Sequence, residues 1–242
     1  MDKKNNIHQL PFNFAHQVFL SRDDFVVSRC NHEAFEMINT WPLWPAFALC
    51  VYGPAHCGKT HLANIFAQNV SIKTNFPYPI PYIDAKDVNF DLPPKLFELN
   101  KCLIVENLQQ KFDEEAMFHL FNLYRNMSGF VLFTSEVAPA RLDIKLPDLS
   151  SRLKMIPAIA IDEPDDELLS SLLIKLFADR QILVSAEVIH FMLANMQRSF
   201  GYAHRLVAEV DNISMSYKRA VSIPIVKEAI QSLAQNNQKE LF

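Results

Sequence analysis

Glycine is scarce in this 242-residue chain: there are four, where an average usage of about 7% would give roughly seventeen. They are Gly53, Gly58, Gly129 and Gly201, so the first two lie five positions apart, and a fibrous, glycine-periodic architecture is excluded. Cysteine is sparse too. Cys30, Cys50, Cys57 and Cys102 form no C-x-x-C pair and no compact disulfide framework, which predicts reduced thiols in a cytoplasmic protein. The eight histidines include no H-E-x-x-H, so no structural metal is expected. A basic excess is also missing: 23 Lys and Arg against 27 Asp and Glu leave a net charge of −4. The counterion-release term that dominates phosphate-backbone binding is thus absent on average, although a local patch stays open. Finally, no long apolar run exists. Residues 37–58 carry no Asp, Glu, Lys or Arg, but Pro42, Pro45 and Pro54 interrupt them, and the polar N-terminus lacks a signal-peptide core. A soluble protein with no membrane partner is the expectation. With half its residues hydrophobic and 21% charged, the chain has ample material for a packed core.

What is present alternates. Apolar strands are predicted at Phe47–Tyr52, Ile80–Asp84, Cys102–Glu106, Phe130–Thr134 and Met155–Ile161. Between them lie helical patterns: His32–Thr40, a helix from Lys59 with Leu62, Ile65 and Phe66 on one face, and another opened by Asp113, Glu114 and Glu115 with a Met117, Leu120, Phe121, Tyr124 stripe. Strands that are apolar throughout and alternate with helices predict an α/β fold with a parallel sheet covered on both faces. After Ile161 the texture changes. Asp162-Glu163-Pro164 is a helix-start signal, and helical patterns then run through Leu169, Leu172, Leu173 and Leu176 and over 186–197, 201–217 and 223–235. The expected organisation is a tail over 1–20, an α/β domain over 21–162 and a small helical lid domain over 163–242.

Gly53-Pro54-Ala55-His56-Cys57-Gly58-Lys59-Thr60 fits G-x-x-x-x-G-K-[ST], between an apolar strand and an amphipathic helix. Glycines let the backbone wrap a phosphate chain with its N–H groups inward, and the following helix offers its positive end. Lys59 reaches the terminal phosphates and Thr60 can ligate Mg²⁺, so ADP or ATP with Mg²⁺ is the expected ligand. Cys57 contributes mainly backbone, and His61 follows directly in the helix. Glu106 ends the strand Cys102–Glu106, where such proteins place a metal-binding acid, but Asn107 follows it and cannot take a proton as a carboxylate does. Slow intrinsic hydrolysis follows, unless both residues merely end the strand. Thr134-Ser135-Glu136 closes another strand where polar groups can sense a terminal phosphate, with Ser135 the candidate contact. Arg152, within Leu149-Ser150-Ser151-Arg152-Leu153, and Arg205, four residues after Gly201, are candidate guanidinium contacts. For each arginine taken alone, a solvated surface residue is the plainer alternative.

Together these features resemble the AAA+ family of the replication initiator DnaA, and within it most closely the DnaA-homologous regulators of the Hda type. The likeness covers nearly the whole chain and rests on Q-L-P-F-N-F at 9–14, W-P-L-W-P-A at 41–46, the phosphate loop, L-P-D-L-S-S-R-L at 146–153, K-L-F-A-D-R-Q at 175–181 and R-S-F at 198–200. The resemblance implies that Gln9, Leu10, Phe12 and Phe14 bind the DNA polymerase III β sliding clamp, their apolar side chains docking in a groove. It implies that Arg152 reaches in trans into the ATP site of DnaA, stimulating hydrolysis and so preventing re-initiation. Arg205 would be the lid's nucleotide sensor. It also implies contact with DNA only indirectly, through these partners, without a C-terminal DNA-binding domain, and it allows a homodimer. Glu106-Asn107 and Glu136 depart from the family pattern. Gln238-Lys239-Glu240-Leu241-Phe242 resembles a second clamp motif with Lys239 in an apolar place, or else a frayed helix end.

Two other readings compete. A DnaC-like or clamp-loader-like ATPase that loads a replication ring needs an intact acidic pair, against which Asn107 speaks. A P-loop kinase needs an arginine-rich substrate lid near the phosphates, and the helical C-terminal part lacks one.

Overall fold

The computed structural model describes residue 22, residues 25–74 and residues 79–239, with backbone only for 236–239. Five parallel strands, β1 (Ala48–Tyr52), β2 (Tyr82–Asp84), β3 (Cys102–Glu106), β4 (Phe130–Ser135) and β5 (Ala158–Ala160), form one sheet in the order β2-β3-β4-β1-β5. The register aligns the carboxyl ends of β1 with β4 (Tyr52 opposite Ser135) and of β2 with β3 (Asp84 opposite Glu106). Loops leaving these strands therefore collect at one edge.

Alternation along the strands feeds two cores. Leu49 and Val51, Ile104 and Leu132 face α1 (His32–Thr40) and α2 (Lys59–Lys73), packing with Ile38, Leu62, Ile65 and Phe66. Cys50, Leu103, Val105, Val131 and Phe133 face the other way. They meet α3 (Leu92–Leu99), α4 (Glu114–Asn126) and α5 (Pro147–Met155) through Leu96, Met117, Leu120, Tyr124, Leu149 and Leu153. The Asp113 side chain caps α4 by accepting from the N–H groups of Glu115 and Ala116, both at 3.0 Å. Helix α3 is absent from the sequence reading because Pro93 and Pro94 mask it. Both stand in its first turn, where a missing N–H costs nothing. The last strand is shorter than Met155–Ile161: Met155 ends α5 and is exposed, and pairing begins where Cys50 N–H donates to the Pro157 carbonyl at 2.9 Å.

The remaining helices, α6 (Asp166–Asp179), α7 (Ala186–Asn195), α8 (Phe200–Tyr217) and α9 (Ile223–Lys239), share a separate core of Leu173, Phe177, Met192, Leu206, Val210 and Val226. Asp165, Ser185 and Ser199 cap the first three of these helices. Segment 161–165 joins β5 to α6. Leu168 and Phe200, at the starts of α6 and α8, are buried in the core of the α/β unit and tie the bundle to it. Among the described residues no helix is long and apolar enough to cross a membrane. All four cysteines are free and buried.

Tyr124 is fully buried, its ring edge-on to Phe97 at 5.1 Å, yet its hydroxyl has no hydrogen-bond partner. A buried unpaired hydroxyl costs free energy, so Tyr124→Phe should hold or raise stability in urea denaturation. Tyr124→Ala should lose about 3–5 kcal/mol through the cavity it leaves.

Candidate functional site

The loop after β1 is fixed at both flanks. Gly53 N–H donates to the Ser135 carbonyl at 3.1 Å, and Ile161 N–H donates to the Tyr52 carbonyl at 2.7 Å. A Cβ on Gly53 would lie 2.5 Å from the Ile161 carbonyl oxygen, so only glycine lets the strand leave the sheet here. His56 (φ 62°) and Gly58 (φ 97°) are left-handed and turn the chain back on itself. Gly58 then caps α2, a 15-residue helix whose free N–H groups and positive end face the loop. The Lys59 ammonium folds over the loop, donating to the Gly53 and Pro54 carbonyls at 2.9 and 2.8 Å. Burial pushes the Cys57 thiol up despite Lys59 nearby, which keeps it neutral and unreactive.

Two strand ends complete the edge. Thr60 Oγ1 donates to Glu106 Oε1 at 2.9 Å. Burial above all, with help from the Asp84 charge, holds the Glu106 carboxyl above its ordinary value; the Thr60 bond and Lys59 act against this. A hydroxyl and a carboxylate that repels a second carboxylate are hard oxygen donors, and their charge suits a divalent cation such as Mg²⁺. Asn107 is left-handed (φ 60°), and its amide donates to Asp84 Oδ2 at 2.7 Å, while its N–H donates to Thr134 Oγ1 at 3.3 Å. Asn107 is thus tied back to the neighbouring strand. Asp84 was missed in the sequence, although its place at a strand end was a usable signal. Thr134 and Ser135 are buried, and Glu136 is exposed with its N–H on Gln109 Oε1 at 3.1 Å.

Helix α8 brings the lid to the loop. The His204 ring lies 5.4 Å from that of His56, and Arg205 follows, exposed, with its guanidinium 5.9 Å from the Tyr202 ring centre. Pro54, Ala55 and His56 form the loop's outer turn, while His61 is buried in α2 edge-on to Phe25 at 5.0 Å. Sequence reasoning placed Arg205 on the lid but missed His204, which no motif marks. Arg152 stands elsewhere. On α5, its guanidinium lies 4.5 Å from the Phe118 ring centre and donates to Asn122 Oδ1, both on α4. A cleft of about 500 Å³ opens at the seam of the two units, between Arg29, Cys30 and Glu33 and the linker carboxylates Asp162, Glu163 and Asp165. Gln9, Leu10, Phe12 and Phe14 lie outside the described residues, as do Glu240, Leu241 and Phe242 of the C-terminal motif.

Residues 166–230 match the family model of the Hda lid domain. The chain is 23% identical over 250 residues to the chromosomal replication initiator protein DnaA of Flavobacterium psychrophilum, covering 96% of this chain and 51% of that one. In its lid residues, its sequence and its overall fold, the chain is similar to DnaA-related AAA+ proteins. It spans about half the length of this DnaA relative. Domain III of Thermotoga maritima DnaA superposes with a TM-score of 0.74 at 18% identity, covering 88% of this chain and 96% of that one. AMPPCP-bound DnaA from Aquifex aeolicus gives 0.64 at 17%, covering 92% and 72%. These neighbours share the parallel sheet with flanking helices expected from the sequence.

Two glycines separate loop geometry from helix propensity. Gly53→Ala drives a Cβ into backbone, and should cost about 1–3 kcal/mol in chemical denaturation. At Gly201 a Cβ would only touch the His56 ring at 3.4 Å. Gly201→Ala should therefore be neutral, or gain up to about 1 kcal/mol from helix propensity.

Proposed function

We propose that the chain is a nucleotide-binding regulator of replication initiation that acts on the ATP site of DnaA. Gly53–Thr60 would hold ADP or ATP, its phosphates on the loop N–H groups and the α2 N-terminus, with Lys59 swinging from its carbonyl partners to the terminal phosphate. Thr60 and Glu106 would hold Mg²⁺, which when bound neutralises phosphate charge. Ser135 and Arg205 complete the nucleotide contacts from β4 and the lid. The Asn107–Asp84 bond leaves no free carboxylate beside Glu106 on that turn to orient water, which supports slow turnover of the chain's own nucleotide.

The observation that carries the reading is the placing of Arg152. It stands on α5, held against Phe118 and Asn122 of α4, with its planar guanidinium fixed in orientation before any partner arrives. Such an arginine suits a neighbouring molecule's triphosphate, where a trans guanidinium stabilises charge on the transferring phosphoryl group. Gln9, Leu10, Phe12 and Phe14 would tether the chain to the DNA polymerase III β clamp and raise its effective concentration near DnaA on DNA. Contact with DNA itself stays indirect, in keeping with the net charge of −4.

The test is turnover of ATP on DnaA with this protein, with and without clamp loaded on DNA. Stimulation should require the loaded clamp, and Arg152→Ala should lose it by about 10³-fold, within the range measured for arginine fingers, with Arg152→Lys failing to restore it. Full stimulation by Arg152→Ala, or none by the wild type, would sink the proposal.

A further inference from the structure

The imidazoles of His56 and His204 have no role in the function proposed above, where His56 serves only through the loop backbone, yet they are where the phosphate loop and the lid meet ring to ring. Their centroids are 5.4 Å apart with planes inclined at 36°. The contact is built in from both sides. His56 is held at φ 62° in the loop's outer turn. Opposite it, the first turn of α8 comes so near that a Cβ on Gly201 would touch His56 Cδ2 at 3.4 Å. His204 is one turn further along α8, immediately before Arg205.

The charged groups around the pair are mostly of one sign. Lys59 stands on the loop side and Arg205 is the next residue of α8. Arg180, at the end of α6, acts on His204 and is itself paired with Asp211 of α8 at 3.6 Å. The N-termini of α2 and α8 add positive partial charge. Burial first, then His56 and Arg180, hold the His204 imidazole below its ordinary value, so it is neutral at pH 7. A polyphosphate lying between Lys59 and Arg205 would reverse that field, because several negative charges would sit beside the two imidazoles, while the one carboxylate named here, Asp211, is paired with Arg180.

We propose that His56 and His204 form a further part of the nucleotide site, in which closing a nucleoside di- or triphosphate between loop and lid draws one proton from solvent onto the pair, and the imidazolium so formed contacts the phosphate chain. This rests on the nucleotide reading of Gly53–Thr60. It adds two binding side chains, and it makes affinity depend on pH. The sign follows from linkage: the complex binds the extra proton, so affinity is highest on the acid side. It weakens as pH rises, by at most about tenfold per pH unit for one linked proton.

Isothermal titration calorimetry of the full chain with Mg-ADP, in buffers of low and high ionisation enthalpy, counts the protons taken up. At pH 7, wild type should take up to about one proton more per ADP than His204→Gln or His56→Gln. Between pH 6.5 and 7.5 its Kd should rise severalfold more than theirs. The phosphate's own titration is common to all three proteins and cancels in the comparison. His190→Gln, an exposed histidine on α7, should behave as wild type. Equal proton counts and equal pH slopes in wild type and both pair variants overturn the proposal while leaving nucleotide binding intact. Absence of any Mg-ADP binding by wild type overturns the nucleotide reading itself, and the proposal falls with it.

Discussion

Everything at the site depends on how β1 leaves the sheet. Gly53 is wedged between the ends of its two neighbours, donating to Ser135 on one side, with a backbone oxygen of Ile161 where a Cβ would stand on the other. That wedge sets the origin of the phosphate loop and aims α2's free N–H groups across it. It also ties the loop to β4 and to the linker from β5 to α6. Since that linker leads into the lid, one backbone junction positions the loop, the strand end that carries Ser135, and the start of the helical unit. The parallel register does the rest by stacking Asp84 and Glu106 on the same edge.

The polar groups at this edge are largely engaged within the chain. Lys59 covers carbonyls of its own loop, Thr60 holds Glu106, and Asn107 holds Asp84. Each of these bonds is one that an incoming anion or cation can exchange at modest cost, because the new partner carries more charge than the old. The arginines divide by location. Arg205 stands on α8 of the lid, next to His204, whose ring meets His56 of the loop, whereas Arg152 stands on α5, held against Phe118 and Asn122 of α4. Under the proposed function, the phosphate loop would read the chain's own nucleotide while Arg152 acts on a second site in another molecule.

Much of this was legible in the sequence because the decisive signals are local. The phosphate loop is a contiguous run, the strands read at Phe47–Tyr52 and Cys102–Glu106 are contiguous apolar blocks, and acidic residues at Asp113–Glu115 and Asp162-Glu163 mark the approach to α4 and α6. What escaped was non-local or ambiguous. Pro93-Pro94 reads as a breaker, although it starts α3. The final strand is short because α5 extends to Met155, and an apolar run carries no mark of where helix yields to strand. Asp84 and His204 join the site only through strand register and through the docking of α8 by Phe200, neither of which spacing encodes.

The His56–His204 contact joins loop and lid, so the two should respond to nucleotide as one unit. Hydrogen–deuterium exchange of the full chain with and without Mg-ADP tests it directly. Protection should appear together in peptides covering Gly53–Thr60 and in those covering Ser199–Arg205 at the start of α8. Protection of the loop with unchanged exchange in the lid helix would contradict it.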